Sequence, residues 1–152
     1  MRRPAITPSH TPSHAEMAIL ESAACHPQHV DISHFNRRAN LPHGLTVDHI
    51  CAAMNDFIDF IGFINQQLAT RKIERLETML MPANFSSIVG EFMTSTIPKH
   101  CKTLAKNAYH NGHPDMLPAG MFPGNRLQHG IDGIEVKASR HLKNWQARRL
   151  QI

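Results

Sequence analysis

The sequence predicts an α+β fold, with a mainly helical N-terminal half beside a small sheet, and three features predict it. From Val47 to Leu68 the apolar residues step by three and four, the period of an amphipathic helix. From His113 onward Pro114, Pro118, Gly120, Pro123, Gly124 and Gly130 forbid a long helix and leave short strands and loops. Inside that stretch Ile134, Val136 and Ala138 alternate with Glu135, Lys137 and Ser139, the period of a strand.

Residues 1–44, rich in Pro, Ser, Thr, His and Asn, are expected to be a flexible N-terminal segment. They include the tandem Thr7-Pro8-Ser9-His10 and Thr11-Pro12-Ser13-His14, and their one helix candidate is Ala15 to Cys25. The folded domain is then 45–152. Thr46 is an N-cap for a helix whose stripe holds Val47, Ile50, Cys51, Met54, Phe57, Ile58, Ile61, Ile64 and Leu68, widened by Phe60 and Phe63. Arg71 to Leu80 either continues that helix or forms a second one, with Pro82 as its stop. Asn84 caps a further helix bearing Phe85, Ile88, Val89, Phe92 and Met93, which Pro98 breaks. Lys99 to Tyr109 reads as another short helical piece, so helices fill 46–109. Asn111-Gly112 marks a turn, a hairpin occupies 113–139, and a basic C-terminal helix occupies 140–152.

At 152 residues and 41% hydrophobic, the chain suits one small domain plus a tail. It lacks a run of about eighteen apolar residues, and Met1-Arg2-Arg3-Pro4 leads into polar residues, so a soluble cytoplasmic protein with no membrane partner is expected. Cys25, Cys51 and Cys101 are too few and too widely spaced for a disulfide framework or a CxxC clasp. Among the twelve histidines, His26-x-x-His29 and His110-x-x-His113 lack the cysteine partners of a structural zinc site. The formal charge of +4 favours a polyanionic partner without establishing one.

Chemistry concentrates in two short motifs, Pro114-Asp115 and, about twenty residues on, Glu135-Val136-Lys137. Phosphodiester hydrolysis needs a metal ion to neutralise charge on the phosphorus oxygens, a nucleophilic water, and a cation near both. The carboxylates of Asp115 and Glu135 suit Mg²⁺ or Mn²⁺, and the Val136 carbonyl is a further oxygen between them. Strand alternation puts Lys137 on the same face as Glu135, beside the attacking water. Asp132 is the rival carboxylate; three residues before Glu135 it falls on the opposite face of a regular strand, unless a bulge at Gly133 reverses it. The plainer alternative has Asp115 capping a turn and Glu135 and Lys137 facing solvent on an edge strand.

Pro114-Asp115 with Glu135-Val136-Lys137 resembles the PD-(D/E)XK nuclease superfamily, the fold of many restriction endonucleases. The resemblance implies a restriction-endonuclease-like sheet within an αβββαβ core. It makes Asp115, Glu135 and Lys137 the catalytic residues, with Asp115 and Glu135 as Mg²⁺ ligands, and it makes Glu91, on the helix ahead of the strands, an additional ligand. It further implies a restriction-type endonuclease acting on double-stranded DNA as a homodimer. The basic residues Arg140, Lys143 and Arg148 around Trp145 would contact nucleic acid. Fifteen residues follow Lys137, room for a helix but not for another strand, so the expected sheet is incomplete. Either the chain is a C-terminally truncated fragment of a longer nuclease, the reading preferred, or another subunit supplies the strand. The alternative from a different class is a non-catalytic helical module for DNA or protein binding, for which the basic tail and the amphipathic helix would suffice.

Overall fold

A computed structural model describes residues 13–138. The fold is α+β: four helices and a small antiparallel sheet of two strands among the described residues. The expected basic helix 140–152, with Arg140, Lys143, Trp145 and Arg148, lies outside them.

Helix α1 (His14–Cys25) opens on a capping box. Ser13 Oγ accepts from the Glu16 amide at 3.3 Å, and the Glu16 carboxylate accepts from the Ser13 amide at 2.6 Å. The segment expected to be flexible is, from Ser13 on, laid along the long helix α2 (Val47–Thr70). Asn55 on α2 accepts from the Val30 amide at 2.8 Å and donates back to the Val30 carbonyl at 3.2 Å, while Gln66 donates to the Cys25 carbonyl at 3.0 Å. Gly62 admits Pro27 so closely that a Cβ there would stand 2.8 Å from the proline ring. These side-chain amides substitute for secondary structure that the Pro- and His-rich sequence cannot form by itself.

Thr46 caps α2 as its sequence predicts, sharing a reciprocal pair of hydrogen bonds with His49 at 3.3 and 3.2 Å. Helix α3 (Leu76–Met79) is one short turn, docked by buried Asn65, which accepts from the Leu76 amide and donates to Glu77. Pro82 does not stop a helix; it begins α4 (Pro82–His100) at the first position, where a missing amide hydrogen costs nothing and a fixed φ is already helical. Pro98 likewise lies inside the helix rather than after it. Met93, Thr96, Ile97 and Cys101 are buried along this end, and Cys101 still donates to the Ile97 carbonyl at 2.8 Å, so packing outweighs the one lost bond.

Helix does not extend to Tyr109. Cys101 turns extended, and β1 (Leu104–Lys106) pairs antiparallel with β2 (Met116–Pro118), Lys106 opposite Met116 and Leu104 opposite Pro118. Leu104 at 3% exposure and Met116 at 0% join Met93 and Ile97 of α4 in the core, and Leu117, on the other face of β2, is also fully buried. On the other edge of β2, Met116 exchanges both backbone bonds with Ile134, at 3.0 and 2.9 Å. Among the described residues of the expected strand Ile131–Ser139 a single bridge, at Ile134, is formed, and residues 135–138 carry no ladder.

One core joins the two halves. Leu45, Ala53, Met93, Ile97, Cys101, Leu104 and Met116 form its buried centre, and Ile134 and Val136 pack on it from the site side. A second apolar cluster sits between α2 and α4, where Phe92 meets Phe57 edge-on at 5.2 Å and Phe60 at 5.1 Å. Among the described residues, no helix is long and apolar enough to cross a membrane.

Candidate active site

Asp115 stands immediately before β2, and the structure sets it against the run that follows Ile134. Its Oδ2 accepts a hydrogen bond from the Val136 amide at 2.8 Å. In a full ladder that amide would bond a strand carbonyl; here a carboxylate takes the role and pins the run beside β2. Because Ile134 and Val136 turn toward the core, Glu135 and Lys137 turn away from it together, and their side chains form an ion pair.

Asp115, Glu135 and Lys137 therefore share one cavity of about 280 Å³, whose far wall is α4 with Glu91 and Thr94. Glu91 is only loosely placed for a role in it: its side chain is 76% exposed, and its Oε2 receives Lys106 Nζ at 2.9 Å. Asp132, the rival carboxylate, is exposed and lines none of the cavities found beside Asp115.

Glu135 is flanked by Lys137 on Oε1 and by His113, whose Nδ1 lies 2.9 Å from Oε2. The His113 contact lacks hydrogen-bond alignment, so Oε2 is a buried carboxylate oxygen with no hydrogen bond among the described residues. Burial pushes the Asp115 carboxyl above its ordinary range, Glu135's charge adds to the push, and the Val136 amide and Lys137 only partly offset it. For Glu135 burial also acts upward, yet the hydrogen bond and charge of Lys137, together with His113, outweigh it and leave the group below its ordinary range. The two carboxyls are thus driven in opposite directions, Asp115 upward and Glu135 downward.

Among the described residues no group of three or more His, Cys, Asp or Glu side chains is disposed around a metal position. Two carboxylates are nonetheless what a Mg²⁺-type ion asks of a protein, since water and substrate phosphate supply its remaining ligands. Glu135 Oε2, which His113 Nδ1 approaches without a hydrogen bond, and the Asp115 carboxylate are the oxygens that such an ion would use. The donor set fits.

Three neighbours carry no role in the sequence reading. His113 enters the sequence reading only within His110-x-x-His113 and as the residue ahead of Pro114-Asp115. Lys106, read as one lysine of a helical piece, reaches Glu91 and Ser95 from β1. Asn107 is buried at 7% exposure and donates to the carbonyls of Pro114 and Leu127, at 3.0 and 2.7 Å, bracing the peptide that carries Asp115. A lone Asn before a turn offers no signal of that. Comparison of the chain with protein families, with curated protein sequences and with solved structures finds no match.

Proposed function

We propose that the protein is a Mg²⁺-dependent endonuclease that hydrolyses phosphodiester bonds in DNA, in the manner of the PD-(D/E)XK nucleases. The observation that carries this reading is the convergence of Asp115, Glu135 and Lys137 on one cavity, held there by the Asp115–Val136 hydrogen bond. The order of elements supports it: a helix bearing Glu91, then β1, then Asp115 leading β2, then the segment of Glu135 and Lys137 paired to β2. That is the order of the first four elements of an αβββαβ core.

In this reading Asp115 and Glu135 hold the ion, with Glu91 able to join once it leaves Lys106. Bound Mg²⁺ supplies charge neutralisation at the phosphate and a more acidic water. Lys137 orients the attacking water and stabilises the negative charge that builds on the phosphorus oxygens. His113, at Glu135 Oε2, holds that carboxylate in place. A cytoplasmic homodimer cutting both strands of a duplex extends the same proposal.

The test is cleavage of supercoiled plasmid in Mg²⁺ by the unaltered chain, Asp115→Ala and Lys137→Ala. Each substitution is expected to slow nicking by about 10²–10³-fold, the typical effect of removing one electrostatic stabiliser. Equal rates in all three, or no cleavage by the unaltered chain, would refute the nuclease and leave a non-catalytic binding module. The ion pairs of Lys137 and His113 on Glu135 would serve that module as simple braces.

A further inference from the structure

A second cavity of about 520 Å³ adjoins the first, and Glu91, Thr94 and Asp115 line both. Its outer wall is the loop 107–112, which is built to hold its shape. Asn107 Oδ1 accepts from the amides of Tyr109 and Leu127, at 3.0 and 3.1 Å, while its Nδ2 donates to Pro114 and its own amide donates to the Asp115 carbonyl at 2.9 Å. One buried amide thus fixes both Asp115 and Tyr109, and so the spacing between them. Gly112 packs so closely that a Cβ would stand 2.4 Å from Asn107 Nδ2.

The surface this loop presents suits a nucleotide. Tyr109 is 36% exposed, with the Arg126 guanidinium over its ring at 5.9 Å from the centroid. Lys106 also lines the cavity, its Nζ shared between Glu91 and Ser95. A ring to stack on, Lys106 in the lining, Arg126 against that ring just outside it, and a passage to Asp115 together match base, phosphate and scissile linkage.

We propose that this cavity seats the unpaired nucleotide next to the cleaved linkage, its base stacked on Tyr109 and its outer phosphate held by Arg126 and Lys106. The proposal deepens the nuclease reading and rests on it for the position of the linkage. It narrows the substrate to DNA with at least one base out of the duplex at the site, because a stacked base pair cannot offer its face to a tyrosine.

Binding of fluorescein-labelled dT12 in EDTA, read by fluorescence anisotropy, tests it without hydrolysis. Tyr109→Leu and Arg126→Gln are each expected to weaken binding about tenfold, while Tyr109→Phe retains it. As a measurement that needs no variant to fold, a dodecamer carrying 5-iododeoxyuridine is expected to photocross-link to the unaltered chain at Tyr109, located by mass spectrometry. Failure of the unaltered chain to bind dT12, or unchanged binding in both variants with no cross-link at Tyr109, overturns the proposal. Normal plasmid cleavage with either of those results would sink this subsite alone; the expected dT12 results without plasmid cleavage would sink the hydrolytic reading and leave a nucleotide-binding site.

Discussion

The helical body and the segment from His113 to Ala138 satisfy their polar groups by different means. Between α1, α2 and α3, helix ladders and paired amides leave little unmet: Asn55 exchanges two bonds with Val30, and buried Asn65 serves both the Leu76 amide and Glu77. Past His113, among the described residues, the backbone has one bridge where a strand was expected, a carboxylate stands in for a carbonyl partner, and a buried oxygen of Glu135 goes without a hydrogen bond. The first region is arranged for stability. The second gathers its charged side chains into one cavity, where Glu135 pairs with Lys137 and the Asp115 carboxyl is raised.

The comparison is broken most severely at Met116, which belongs to both regions. It is fully buried in the shared core, and its backbone carries both bonds to Ile134. Met116→Ala is expected to lower stability by about 3 kcal/mol, through lost burial and the cavity left behind. Chemical denaturation measures it; a loss under 1 kcal/mol would mean that the sheet is not part of the core.

Gly133→Ala is a smaller perturbation aimed at the seam alone. A Cβ at 133 would meet the Met116 carbonyl oxygen at 2.2 Å and the Pro114 ring at 2.4 Å, so the bridge must move. Overpacking of this kind costs about 2 kcal/mol. It should also shift Glu135 and Lys137 relative to Asp115, so plasmid cleavage is expected to fall about tenfold or more while the helical signal by circular dichroism is kept. Unchanged cleavage with reduced stability would show that the bridge does not position the site.

What the sequence made legible follows the same division. The α2 stripe could be read because 24 residues repeat one period over many turns, and Thr46 caps it as its residue type predicts. Strands of three residues repeat nothing, so β1 was hidden inside an expected helix, and the prolines at 82 and 98 misled because packing, invisible in one dimension, keeps them helical. Alternation paired Glu135 with Lys137 even though the ladder that normally enforces it is absent; the core contacts of Ile134 and Val136 suffice. The bond from the Val136 amide to Asp115 could not be read, since Pro114-Asp115 carries no mark of what lies opposite it.

The mildest test sharpens the contrast by changing one charge. Asp115 has its carboxyl raised by burial and by Glu135, so the folded chain holds that proton more tightly than the unfolded chain does. Stability from this group is therefore full below the ordinary carboxyl range and is lost as pH climbs to the raised value; above that, an ionised Asp115 is a standing cost. Glu135, with its carboxyl lowered, works in the opposite sense, adding stability that is lost as pH falls through its lowered value. It is present in both proteins, however, and largely cancels when they are compared. Asp115→Asn keeps an oxygen for the Val136 amide and removes the charge. In a metal-free buffer at pH 7 it is expected to melt higher than the unaltered chain, with the gap closing as pH falls and the native aspartate takes up its proton. A variant that melts lower than the unaltered chain at pH 7 would show that Asp115 is a structural brace whose charge the fold already accommodates, and the distinction between the two regions would lose its electrostatic basis.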